Sequence, residues 1–141
     1  MNQHFHLVTL GVGDFARSYK FYTEILGWKP ASASQDDTAF FQAGGIVLSI
    51  YPREKLAEDA LVSPEGQGFS GITLAYNAQS EAEVDEIIRD VKGKGVKILK
   101  EPQKVFWGGY NSYFADPDGY CWEVAYNPFF PFDENGNLKL E

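Results

Sequence analysis

Glu123 is the side chain of this sequence best placed to do chemistry. It ends the stretch Tyr113-Phe114-Ala115-Asp116-Pro117-Asp118-Gly119-Tyr120-Cys121-Trp122-Glu123, which reads as a strand, an acidic turn and a second strand. A carboxylate among apolar strand neighbours must be solvated in a cleft, paired, or bound to a metal, because burying it bare is too costly. As a general base or acid it needs a polar partner within hydrogen-bond reach. Tyr113 and Tyr110 are the nearest phenols in sequence, and Thr9 and Thr73 offer hydroxyls from other strands. Each has a plainer use, since Tyr and Thr are good strand formers that pack readily. Cys121 has no His or helix start evident beside it and reads as a small packing residue.

The elements that must hold these groups occur twice along the chain. A strand over residues 6–12 runs into Asp14, whose carboxylate can cap the helix that follows. Over residues 15–26, Phe15, Tyr19, Tyr22 and Leu26 share a helical face, and Gly27 stands where a helix end favours glycine. Trp28-Lys29, a polar turn at 34–37, a strand over 38–42, the turn Gly44-Gly45 and a strand over 46–51 complete this half. The second half opens with a strand over 71–76. Ser80 and Glu83 form a capping box, and Val84, Ile87, Ile88 and Val91 make the apolar stripe of a helix that Gly95 ends. A strand over 96–99, the aromatic loop 106–109 and the hairpin around Asp116-Pro117-Asp118-Gly119 follow, with Pro117 and Gly119 suited to a tight turn.

Both halves therefore read as strand, helix and three more strands, an α+β chain of two βαβββ modules. Helices between strands are common in any α/β protein, but here the order and spacing agree throughout. Local echoes reinforce the repeat: Val8-Thr9-Leu10 against Ile72-Thr73-Leu74, and Gly27-Trp28-Lys29 against Gly95-Val96-Lys97. The expected boundaries are a first module at 1–52, a polar linker at 53–69 with a helical turn in 53–59, a second module at 70–128, and a tail at 129–141. Phe40, Phe41, Phe106, Trp107, Tyr110, Tyr113, Phe129, Phe130 and Phe132 could line a pocket for a flat or apolar molecule. For most of them the core or a dimer seam is the better reading. Trp107 is the exception, because Gly108-Gly109 puts it on a loop.

Composition excludes several functions. The formal net charge of −8 over 141 residues argues against nucleic acid or an anionic membrane surface as partner. One cysteine forbids an internal disulfide. A basic start followed by an apolar run is missing, and no run is long enough for a bilayer span, so a cytoplasmic home is expected.

Leu10-Gly11-Val12-Gly13-Asp14-Phe15 with Arg17-Ser18, Phe21-Tyr22 and Leu26-Gly27-Trp28 resembles the first module of the vicinal oxygen chelate superfamily. That superfamily includes glyoxalase I, bleomycin-resistance proteins and extradiol dioxygenases. Gly108-Gly109-Tyr110, Tyr113-Phe114, Asp116-Pro117-Asp118-Gly119 and Trp122-Glu123-Val124 resemble its closing hairpin, so the likeness runs from His6 to about Pro128. It implies curved mixed sheets enclosing a cleft, and often a homodimer. Metal-dependent relatives draw ligands from the first and last strand of each module, positions that carry over to Leu7, Leu48, Gly71 and Glu123. Only Glu123 can coordinate, and stable sites need three or four protein ligands. No metal is therefore expected, and a divalent ion would need an atypical site. His6 is one residue out of phase with Leu7 and would enter the cleft only if the strand register shifted by one.

The expected function is metal-free binding of a small organic molecule in the cleft, as in the bleomycin-resistance branch. Glu123 is the candidate catalytic or anchoring group, and Thr9, Leu48, Thr73, Trp107, Tyr110 and Tyr113 are the ligand-contacting set. The alternative is a metal-dependent lyase, isomerase or dioxygenase of the same superfamily with an atypical site using Glu123. A purely structural or partner-binding role has no direct support in the residues.

Overall fold

A computed structural model describes residue 1 and residues 3–140 of the chain. Two compact units divide it, Met1–Gln67 and Gly68–Glu141. The first is built from β1 (Leu7–Val12), α1 (Phe15–Lys20), a π-helical turn (Phe21–Ile25), β2 (Ala39–Ala43), β3 (Ile46–Pro52) and α2 (Arg53–Asp59). The second contains β4 (Thr73–Ala78), α3 (Glu81–Gly93), β5 (Lys97–Lys104), β6 (Tyr110–Ala115) and β7 (Cys121–Tyr126). Each holds one mixed sheet, in the orders β1-β3-β2 and β4-β7-β6-β5. The parallel pairs β1–β3 and β4–β7 and the antiparallel pairs β2–β3 and β6–β7 match one another. The repeat expected from the sequence is thus a repeat of topology.

In the first unit the strand expected near Trp28-Lys29 does not form. Pro30 lacks the N–H a ladder needs, and the segment is joined to β2 by an Ala31 N–H donated to Phe40 O at 2.7 Å. The helix differs as well. It is capped by Asp14, whose Oδ1 accepts from Arg17 N at 3.0 Å, but it widens into the π turn at Phe21. Ser18, Phe21 and Tyr22 are its buried residues, so of the expected stripe Phe15, Tyr19, Tyr22 and Leu26 only Tyr22 is fully buried and the others are half-buried. Tyr22 is fully buried and packs its ring against Phe21, Trp28 and Phe41. Leu10, Val12, Leu48, Ile50, Ala39 and Phe41 form the sheet side of this core.

The second unit follows its sequence more closely. Ser80 Oγ accepts from Glu83 N at 3.1 Å, and Glu83 reaches back to accept from Gln79 N at 2.7 Å. Val84, Ile88 and Val91 bury the stripe of α3. Across the sheet they face the row Leu74, Trp122, Phe114 and Ile98, in which Trp122 and Phe114 stack at 6.3 Å. The β6–β7 turn closes with Gly119 N–H donated to Asp116 O at 3.0 Å, and Gly119 takes φ 86°. Asp116 is a turn residue: its buried Oδ1 accepts from both Asp118 N and Tyr120 N at 2.9 Å.

Candidate functional site

On a strand, alternate side chains face opposite ways, so the helix-covered row of the second sheet leaves a second row on the other face. Ala75 pairs with Glu123, Glu123 with Tyr113, and Tyr113 with Lys100, placing these four residues side by side across all four strands. Lys100 stands in this row only because β5 is irregular. Ile98 pairs with Phe114 on the helix side, and simple alternation would send Lys100 to that side too. A register shift between Ile98 and Lys100 inserts Leu99, which is exposed, and turns Lys100 onto the face of Glu123.

The resulting polar chain is continuous. Lys100 Nζ donates to Asn111 Oδ1 at 2.6 Å, and Asn111 Nδ2 donates to Glu123 Oε1 at 2.7 Å. Asn111 is only 4 % exposed, and both bonds are partly buried. Lys100 Nζ also lies 6.0 Å from the centre of the Tyr113 ring. Burial pushes the Tyr113 phenol up, and the adjacent Glu123 carboxylate adds to the rise through its charge and a hydrogen bond. Thr73 and Cys121 pair with each other on this same face, one step along the strands.

Other residues singled out in the sequence lie elsewhere. Tyr110 is on the helix side, where its hydroxyl donates to Asp85 Oδ1 of α3 at 2.7 Å; that bond, with burial and the charge of Asp85, pushes the phenol up to about 12. Trp107 sits in the β5–β6 loop with its indole folded over Gly109, so close that no Cβ could be added there. Leu48 pairs with Val8 and Phe41 on the helix side of the first sheet and is 4 % exposed, which removes it from the face that carries Thr9. That face has Thr9 paired with Ser49 and Gly11 with Tyr51. Thr9, Ser49 and Tyr51, with Thr38, Phe40, Leu56 and Asp59, line an open depression of about 350 Å³ within the first unit. Gly11 matters here, since a Cβ on it would stand 3.2 Å from the Arg53 Cα of α2.

Three site residues escaped the sequence reading. Lys100 was hidden by the bulge, for which Pro102 inside β5 was the one available signal, whereas Asn111 follows from simple alternation with Tyr113 along β6. Tyr51 is the third. Extending the Thr9/Thr73 echo by two residues pairs Gly11–Tyr51 with Ala75–Glu123, so Tyr51 is the first unit's counterpart of Glu123.

The donor set does not fit a divalent metal of the kind the superfamily resemblance implies. Among the described residues no three His, Cys, Asp or Glu side chains come together to hold an ion. Glu123 is already engaged by Asn111, with the Lys100 amine next in line, a charge that opposes a bound cation. The shift that would have brought His6 onto the Thr9 face is not seen: Leu7 pairs with Val47, leaving His6 in phase with Val8 and Leu10. Its ring stacks on His4 at 4.4 Å.

Comparison with known proteins agrees with this architecture. The family model described as Glyoxalase/Bleomycin resistance protein/Dioxygenase superfamily matches residues 4–124. A glyoxalase-related enzyme from Fulvimarina pelagi superposes with a TM-score of 0.88 at 33 % identity, covering 98 % of both chains. The fosfomycin resistance protein FosX of Listeria monocytogenes is 32 % identical over 83 % of this chain and 84 % of its own. The lactoylglutathione lyase GLX1 of Arabidopsis thaliana is 29 % identical over 87 % of this chain, which spans only 44 % of that relative's length. The metallothiol transferase FosB of Staphylococcus saprophyticus is 28 % identical, over 88 % of this chain and 77 % of its own. This chain belongs to the Glyoxalase/Bleomycin resistance protein/Dioxygenase superfamily.

Proposed function

We propose that the protein binds a small organic molecule without the help of a metal, using Glu123 as the polar anchor. The observation that carries this reading is the Lys100–Asn111–Glu123 chain, which spends the family's carboxylate position on an organic network. A carboxylate held in this way offers its remaining lone pairs to a ligand in a fixed direction. Tyr113 and Thr73 share its face and join the contact set. Trp107, on the β5–β6 loop of the same unit, completes the contact set; Thr9 lines the depression of the first unit with Phe40 and Tyr51. Leu48 and Tyr110 are left out, because both face helices. In this reading the protein is a cytoplasmic homodimer, and equilibrium sedimentation tests the dimer.

The experiment is a ligand-observed NMR screen of small polar aromatics against the protein in excess EDTA. Hits that persist in EDTA and vanish with Glu123→Gln support the reading. Hits that appear only with added metal overturn it. A catalytic reading is favoured by the relatives named as a lyase and a transferase. There Glu123 would serve as general base, and a ligand consumed by the parent but only bound by Glu123→Gln would establish it.

A further inference from the structure

Lys100 lies one residue removed from the carboxylate that anchors the proposed site, and its contact runs through an amide that can point either way. An Asn side chain offers an acceptor at Oδ1 and donors at Nδ2, and its orientation follows from its neighbours. A carboxylate alone would already choose the donor end. What Lys100 adds is a partner with donors only, set against the opposite end of the same amide. Asn111 is therefore held from both sides, and with 4 % exposure it has little water to turn to instead. We propose that Lys100 is a positioning residue: by fixing the Asn111 amide it keeps one oxygen of Glu123 permanently satisfied, so that the site accepts ligands that donate a hydrogen bond.

The consequence for the ligand rests on the reading of Glu123 as anchor. With Asn111 donating to Oε1, Glu123 has acceptor capacity left and nothing to donate. The complementary group is a hydroxyl or an N–H. An ether offers a second acceptor and an acid a like charge, and both are disfavoured against the carboxylate. If Lys100 is removed, Oδ1 loses its partner and the amide is held from the Glu123 side alone, so the carboxylate is less firmly directed and affinity for donors falls. The device depends on the bulge at Leu99, without which Lys100 would face α3.

The test uses the intact protein and three matched probes: benzyl alcohol, benzyl methyl ether and benzoate. The alcohol is expected to bind at least fivefold more tightly than either of the others. Lys100→Met should weaken binding of the alcohol severalfold, and Lys100→Arg, which keeps a donor-only head group, should restore most of it. A second readout needs no ligand: the side-chain amide protons of Asn111, followed by NMR. In the parent they should appear as one well-dispersed pair. In Lys100→Met they should lose much of that dispersion while backbone resonances elsewhere stay put. Alcohol binding that depends on Glu123 but is as tight in Lys100→Met as in the parent overturns the role of Lys100 and leaves the anchor intact. Binding indifferent to Glu123→Gln overturns the anchor itself. Unchanged Asn111 amide protons in Lys100→Met refute the positioning role whether or not any probe binds.

Discussion

Glu123 owes its direction to Asn111, and Asn111 is the residue whose loss should be felt first. Replacing it with Ala strips a buried bond from both Lys100 and Glu123. We expect a loss of about 1–3 kcal/mol in urea unfolding, the usual cost of leaving buried polar groups unsatisfied. Glu123→Gln should cost far less stability, because an amide oxygen still accepts from Asn111, while ligand affinity falls at least tenfold. Tyr110 supplies a pH prediction with a definite sign. Its bond to Asp85 favours the neutral phenol, raising it from 10.0 to about 12. The stabilisation is fully present below the ordinary phenol value and is lost as the pH rises through about 12. Tyr110 should thus be among the last phenols to ionise in an ultraviolet titration, and Asp85→Asn should bring it back toward the others.

At the scale of elements, the local signals with a clear mechanism were legible. Ser80 and Glu83 announced the start of α3, and Ser80→Ala should cost about 1 kcal/mol in thermal or urea unfolding. The hairpin turn at Asp116-Pro117-Asp118-Gly119 was equally plain, because Pro and Gly at those positions leave the backbone few choices. Where the reading missed, a change of backbone period was responsible. No apolar spacing encodes the π turn at Phe21, and of the expected stripe only Tyr22 is fully buried. The bulge at Leu99 moved Lys100 to the opposite face of the sheet, so the site's cation was invisible to strict alternation. Leu48 was misplaced for a related reason, since one residue of register separates a sheet's two faces. Gly11 tests the packing of α2 against β1. A Cβ there would meet backbone at 3.2 Å, and Gly11→Ala should destabilise by about 1 kcal/mol.

Across the whole molecule, one topology appears in two units whose faces have come to differ. The first unit offers hydroxyls and rings, from Thr9, Thr38, Ser49, Phe40 and Tyr51. The second offers a linked lysine, amide and carboxylate. Topology was readable from the sequence because it follows from the repeated order of strands and helices. The chemistry was readable only at Glu123, since the residues around it converge from separate strands. Among the described residues no helix is long and apolar enough to cross a membrane, and a formal charge of −8 leaves little attraction for polyanions. The most direct measurement is the metal content of the purified protein, before and after exposure to nickel, zinc, manganese and ferrous iron. We expect well under one equivalent of each to survive desalting, with the ligand-binding behaviour unchanged by EDTA. One equivalent retained by the parent and lost in Glu123→Gln would show that the carboxylate serves a metal, and would contradict the organic network proposed for it.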